Sequence, residues 1–321
     1  MAHAPEPFAR YDRFVASRFE RLGTERANPR SRDLDRMSAR AIVTLMNRQD
    51  RGVVAAVGRE LTRITAAVDV IVASLERGGR LFFVGAGTSG RLGVLEAAEC
   101  PPTFGTPPSM IQAIMAGGRR SVFRSREGAE DDAIAARRAV ARRVRTGDVV
   151  VGVSASSVTP FVRAAIREAR RLRAATILVA CNASALVSPI ARVVIAPVPG
   201  PEIVAGSTRL KAGTATKLVL NMLTTASMAR LGRVYGNRMI DLQPRSLKLR
   251  DRAERLVADI AGVSRPRARA ALAVANGRAR LAIVVARTGM SAREAAALLN
   301  AAGGSLRIVL TNARDGGGRR G

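Results

Sequence analysis

The chain has 321 residues, 47% of them hydrophobic and 3% aromatic, with a formal net charge of +28. That apolar share supports a real core and excludes bulk disorder, while no run reaches the about 18 uninterrupted apolar residues of a membrane helix. Two cysteines, Cys100 and Cys181, and one histidine, His3, exclude a disulfide framework, a zinc cluster and a His-based triad, so acid–base chemistry falls to carboxylates.

In chain order, Met1 to Asn28 is polar and irregular, and it lacks the basic-then-apolar pattern of a secretory leader, so a cytoplasmic location is expected. Ser38 to Gln49 has the spacing of a short helix. Val53 to Glu76 carries apolar residues at helical spacing until Gly78 and Gly79 end it. Short apolar runs follow at Leu81–Val84, Met110–Met115, Val149–Val153, Ile177–Ala180 and Val193–Ile195, separated mostly by helical segments. This alternation predicts an α/β layer with buried parallel strands. Leu210 to Leu231 reads as a long apolar helix, either core or dimer surface. Leu247 to Leu310 reads as several short helices capped at Ser264 and Ser291, and DGGGRRG as a loose tail. The expected organisation is an N-terminal arm over 1–52, a main domain over 53–235, a C-terminal helical subdomain over 236–315 and a flexible tail over 316–321.

The charge excess is almost all arginine, since Lys211, Lys217 and Lys248 are the only lysines, and it is spread along helices. With so few aromatics to stack on bases, this distribution argues against nucleic acid as a partner.

The most informative stretch is FFVGAGTSGRLGVLEAAECPP, Phe82 to Pro102. Gly85, Gly87 and Gly90 allow close backbone approach to an anion, Thr88 and Ser89 offer hydroxyls, and the following helix presents free N–H groups. Arg91 and Leu92 after Gly90 break the dinucleotide fingerprint, and no Gly-Lys-Ser/Thr ending makes a P-loop, so one phosphate on a small molecule fits best. Ligands of open parallel sheets bind at the carboxyl ends of the strands, where two more loops should converge: EGAEDD (Glu127 to Asp132) and SASSVTP (Ser154 to Pro160). Taken alone, SASSVTP is an ordinary helix start. Its pairing with GAGTSGR at matching strand ends favours a shared phosphate, held by Gly87, Thr88, Ser89 and Gly90 on one side and Ser154, Ser156 and Ser157 on the other, with the sugar toward EGAEDD.

The strings GAGTSGRLGVLEAAECPPTFG, EGAEDD, GPEIVAGSTRLKAGTATKLVLNML and RVYGNRMIDL resemble the N-acetylmuramic acid 6-phosphate etherases, with similarity running from about Thr24 to Leu310. The resemblance implies a sugar isomerase (SIS) domain, a five-stranded parallel sheet flanked by helices, in a homodimer. It also implies cleavage of the lactyl ether of N-acetylmuramic acid 6-phosphate to N-acetylglucosamine 6-phosphate and D-lactate, with no metal or organic cofactor. By resemblance, Glu99 protonates the departing lactate, Glu130 is the second acid–base residue and Glu127 contacts the sugar. Arg209, Lys211 and Lys217 would aid binding of phosphate or carboxylate, unless they form the charged rim of a long helix. Read without the family, Glu99 is an exposed residue near a helix end, and Glu130, Asp131 and Asp132 are charges at a helix start. The vertebrate glucokinase regulatory protein, a more distant relative, keeps a second reading open: a regulator that senses sugar phosphate without chemistry.

A straight helix from Ser89 would carry Glu99 about 15 Å from the phosphate turn. Glu99 then serves a partner subunit, or the chain bends back between Ala97 and Pro102. Three departures from the family pattern stand out. Ser157 replaces a glycine, at a cost of about 1 kcal/mol if φ there is positive. Thr216 stands where glutamine is usual, and Ser246 near where asparagine is common.

Overall fold

The β-branched and aromatic runs form five strands buried almost throughout, as strands covered on both faces must be. They are Leu81–Gly85 (β1), Ile111–Met115 (β2), Val149–Val153 (β3), Ala175–Val179 (β4) and Val193–Ile195 (β5). The computed structural model describes residues 22–187, 189–241 and 247–316. Most of the expected irregular N-terminal stretch, nearly all of the tail and Ser246 therefore lie outside the described residues. The strand order is β2-β1-β3-β4-β5, and the described pairings β1–β3, β3–β4 and β4–β5 are parallel. The five-stranded α/β layer expected from the periodicity is present.

Helices cover both faces. Ala133–Arg143 (α4) and Pro160–Arg171 (α5) pack over β1, β2 and β3, where Phe82, Val84, Val140, Val150 and Phe161 form one cluster. Full burial of each such large side chain is worth about 1.5–3 kcal/mol. Along α5, Val162 and Ile166 extend the cover to Leu178, Val194 and Ala185 of the short helix Ser184–Val187 (α6). Leu61–Glu76 (α2) packs against β3 and β5. At the amino end of the sheet, Asp148 accepts from the amides of Arg80 (2.9 Å) and Arg145 (2.8 Å) and pairs with the Arg80 guanidinium at 2.7 Å, tying β1 to β3.

Two helix boundaries differ from the sequence reading. The short helix expected at 38–49 runs over Ala39–Gly58 (α1), capped by Ser38, and the long one begins only at Leu61. Between them Glu60, 5% exposed, turns its carboxylate to the Ala196 amide (2.9 Å) and to Arg63 (3.0 Å). A tertiary bond of this kind is invisible to a 3.6-residue period.

Contacts divide the chain into two units: the described residues of Met1–Glu96 with Gln112–Leu223, and those of Ala97–Ile111 with Thr224–Gly321. Gly87–Phe104 (α3) and Lys211–Arg230 (α7) each cross from the first to the second. The apolar side of α7, including Ala215, Val219, Leu220 and Leu223, is fully buried in this single chain, which makes it core.

In the second unit, Leu247–Ala261 (α8), Arg265–Val274 (α9), Ala279–Thr288 (α10), Ala292–Ala301 (α11) and Leu306–Gly316 (α12) share one core around Val257, Ala282 and Ile283. Ser291 and Glu294 form a complete capping box on α11, whereas Ser264 occupies the N-cap position of α9 without a side-chain cap bond. A small antiparallel hairpin, Val234–Tyr235 (β6) with Arg238–Met239 (β7), was not anticipated, although the Gly-Asn pair between its strands is a hairpin signal.

Candidate active site

The sheet order decides what meets what. β1 lies between β2 and β3, and in register Gly85 pairs with Val153, so the turns after these two strands leave the same edge side by side. The chain departs from β1 in opposite directions toward β2 and β3, which makes this the switch point where parallel sheets bind ligands. The loop after β2 joins them there, with the Ala116 amide donating to the Gly85 carbonyl at 3.0 Å.

The turn after β1 is built for close approach. A methyl group at Gly90 would lie 2.3 Å from Met115 Sδ and 2.5 Å from the Gly85 carbonyl oxygen, so only glycine lets α3 start against β1. Gly87 takes φ +52, in the left-handed region. The Gly90 amide already donates to Ala86 (3.0 Å), which leaves the amides of Gly87, Thr88 and Ser89 as the free donors at the start of α3. The hydroxyls of Thr88 and Ser89 make no hydrogen bond with another described residue. Free amides, two hydroxyls and the positive end of a helix dipole form an anion cradle. The start of α7 packs on this turn: a Cβ at Gly213 would sit 3.8 Å from Thr88 Cγ2.

The turn after β3 has the same composition and a different state. The Ser154 hydroxyl bonds that of Thr159 at 2.8 Å, and Ser156 Oγ accepts from the Val158 amide at 3.4 Å. Ser157, 5% exposed, has φ +67, so the residue standing in for glycine does occupy the left-handed region. Its carbonyl accepts from Arg163 at 3.3 Å. At the start of α5, the Phe161 amide donates to the Glu130 carbonyl oxygen at 2.9 Å, which moors the EGAEDD loop to the turn after β3.

Within that loop the acidic residues separate by role. Asp132 is the N-cap of α4, accepting from the Ala135 amide at 2.8 Å, so the helix-start reading fits Asp132. Glu130 is held by its backbone, and its carboxylate makes no hydrogen bond or ion pair with a described residue; the same holds for Glu127. Nearby protein displaces water from Glu130, and the negative charges of Asp131 and Glu127 add repulsion, so its pKa stands above the usual value of 4.5. An unpaired carboxyl biased toward its protonated form is suited to hold or take a proton.

Glu99 is not among these residues. It lies on α3 beyond Glu96, in the second unit, and is exposed. The chain does not fold back between Ala97 and Pro102, because α3 continues to Phe104 with Pro101 and Pro102 inside it. Lys211 is 2% exposed; its Nζ donates to Gln49 Oε1 and to the Pro199 carbonyl, each at 3.2 Å. Burial lowers its pKa, opposed by Glu202 and Asp50. Thr216 is buried with its hydroxyl 3.8 Å from Cys181 Sγ. Burial pushes the Cys181 thiol up to about 12, which removes it as a nucleophile.

Several supporting residues escaped the sequence reading. Arg91 donates to the carbonyls of Val122 (2.8 Å) and Ser121 (2.9 Å), clamping the loop that leads to Glu127. Buried Glu202 accepts from the amides of Lys211 and Ala212, both at 2.9 Å, and so caps α7 from nine residues upstream, too far for a capping-box motif. Glu96, 7% exposed, accepts from Asn221 Nδ2 at 2.5 Å, and Lys217 donates to Asn221 Oδ1 at 2.6 Å. The only available signal was the position of Glu96 one turn before Glu99.

Comparison with known proteins adds to this geometry. The family model for the glucokinase regulatory protein N-terminal SIS domain matches residues 63–170. A phosphoheptose isomerase from Neisseria gonorrhoeae superposes with a TM-score of 0.45 at 17% identity, over 59% of this chain and 98% of that one. An N-acetylmuramic acid 6-phosphate etherase of Symbiobacterium thermophilum is 50% identical over 270 residues, 84% of this chain and 90% of that protein. Another, from Geobacillus thermodenitrificans, is 47% identical over 292 residues, covering 91% of this chain and 99% of the relative. Similarity this high over nearly the full length of both proteins means that the chain belongs to the N-acetylmuramic acid 6-phosphate etherase family.

Proposed function

We propose that this chain is a carbon–oxygen lyase that cleaves the lactyl ether of N-acetylmuramic acid 6-phosphate, with Glu130 and Glu99 as its acid–base pair. The observation that carries the reading is the unpaired, raised-pKa carboxyl of Glu130, moored by its own backbone to the start of α5 beside a turn with free amides and hydroxyls. The phosphate sits on Gly87, Thr88 and Ser89, with Gly90 contributing the close backbone approach, the turn of Ser154, Ser156 and Ser157 alongside and Glu127 on the sugar. Lys211, capped in place by Glu202, positions the start of α7 against Thr88.

In the ring-opened sugar the C1 aldehyde acidifies the C2 proton. A carboxylate removes that proton, the C2–C3 double bond forms, and the C3–O bond breaks as a carboxylic acid delivers a proton to the ether oxygen, since an alkoxide leaves poorly. D-lactate departs, and water adds at C3 as C2 regains a proton, giving N-acetylglucosamine 6-phosphate. Two carboxyls in different settings divide these tasks: Glu130 acts at C2 or on the water, and Glu99 protonates the ether oxygen. The reading places the work in the cytoplasm, in recycling of cell-wall sugars, without metal or organic cofactor and without nucleic acid. No helix among the described residues is long and apolar enough to cross a membrane.

The exposure of Glu99 and the unbroken α3 favour its delivery to the site of a second copy in a homodimer. Complementation tests this. Glu99→Gln and Glu130→Gln homodimers should each release almost no lactate, while remixed protein should recover about a quarter of wild-type activity, because half the dimers are mixed and each has one intact site. No recovery on mixing would place both carboxyls in one subunit. Full activity of either variant alone would remove that carboxyl from the mechanism, whereas a wild-type protein that binds the sugar phosphate and releases no lactate would favour the non-catalytic, sugar-phosphate-sensing reading.

A further inference from the structure

The amino edge of the same sheet carries a cavity that the etherase reading does not use. It has a volume of about 870 Å³, within the range of small-molecule sites, and is lined from α2, the loop before β3, the end of α5, the start of β4 and the approach to β5. All of its lining belongs to the first unit. Five-residue strands rising about 3.3 Å per residue put some 16 Å of sheet between this edge and the phosphate turns, so one small ligand cannot span both.

Its chemistry is that of an anion site. Arg77, Arg170, Arg173 and Arg192 line it, against Asp69 as the single acidic residue. Arg170 donates to the Ile190 carbonyl at 3.4 Å, while the guanidinium groups of Arg77, Arg173 and Arg192 make no hydrogen bond or ion pair with another described residue. The simplest account of Arg77 and Arg170 is neutralisation of the carboxyl ends of α2 and α5. It does not cover Arg192, which precedes a strand, nor the backbone at Arg173. That residue ends α5 at φ +58, with the Ala174 amide donating to Ala169 at 2.9 Å, in a position where glycine is the unstrained choice. An arginine held there in a strained conformation places its charge over the cavity. Apolar lining from Val70, Ala73, Pro189 and Ala191 leaves room for a ring beside the charges.

We propose that this cavity binds a nucleoside diphosphate, its two phosphates on Arg77, Arg173 and Arg192 and its nucleoside on the apolar wall. The test is calorimetric titration of the full-length protein with ADP and with UDP, in saturating N-acetylglucosamine 6-phosphate to occupy the phosphate turns. At least one nucleotide is expected to bind with micromolar affinity. Arg173→Gly, which suits the local backbone, and Arg192→Ser should each weaken it at least tenfold and leave lactate release unchanged. Ser89→Ala should leave nucleotide affinity as it is. Three results would each overturn the proposal: no binding of either nucleotide at millimolar concentration, equal affinity in the arginine variants, or binding that disappears only when the sugar phosphate is present. None of them bears on the etherase assignment, which the lactate assay decides separately.

Discussion

The turns after β1 and β3 begin alike and end differently. Both follow adjacent parallel strands in register, both are rich in small and hydroxyl residues, and both open a helix. In the first, the hydroxyls and helix-start amides are unclaimed. In the second, Ser154 and Thr159 bond each other, Phe161 spends its amide on Glu130, and a serine occupies a left-handed position. The first turn keeps donors of the kind that suit an anion. The second uses much of its polar capacity internally, and what it achieves is to bring the Glu130 loop to the right edge. Composition announces a turn that is able to bind; the hydrogen-bond ledger says which one still has donors to give.

Gly90→Ala should have the largest effect, because the new methyl meets Met115 and the Gly85 backbone at distances that force α3 away from β1. Activity is expected to fall below detection with a clear drop in Tm by calorimetry, whereas Ser156→Ala in the second turn should change neither by much. Equal damage from both would show that the turns are equivalent.

Glu130→Gln should lower kcat by about 10²–10⁴-fold, the usual worth of a positioned acid or base. Its Tm at neutral pH should not fall, and the sign follows from linkage. The folded-state pKa lies above the unfolded value, so the folded chain binds more protons in that window and stability declines as pH rises through it. Removing the ionisable group removes that decline.

The pH profile sharpens the same point. If Glu130 acts as a base at C2, kcat/KM falls on acidification through a pKa above 4.5, and Asp131→Asn, by removing one repulsive charge, should move that limb to lower pH. An unmoved limb would assign it to another group.

The smallest effect is expected from Ser157→Gly. Relief of the left-handed strain should stabilise the fold by about 1 kcal/mol, read as a small rise in denaturation midpoint. A few-fold gain in sugar-phosphate affinity would show that the second turn shares the phosphate; an unchanged affinity would assign the anion to the first turn alone.

Much of this protein was legible from residue order. The five strands and their parallel, two-face-covered character follow from short β-branched runs, because burial on both sides leaves no polar alternation. The tight turn that opens α3 follows from Gly85, Gly87 and Gly90, since close backbone approach requires that residue type, and the left-handed strain at Ser157 followed from a serine where glycine is usual. The break at Glu60, the remote cap from Glu202, the clamp by Arg91 and the Glu96–Asn221 bond were not legible. Each joins residues outside the span of a local motif, and periodicity and spacing say nothing about which backbone a buried carboxylate or guanidinium will reach. Tertiary structure also separated residues that looked alike: Asp132 is spent on a helix cap while Glu130, two positions away, keeps a free carboxyl. Local sequence sets which groups are available, through backbone freedom and side-chain type. Only the packed chain, by satisfying some of them and leaving others open, decides which remain for chemistry.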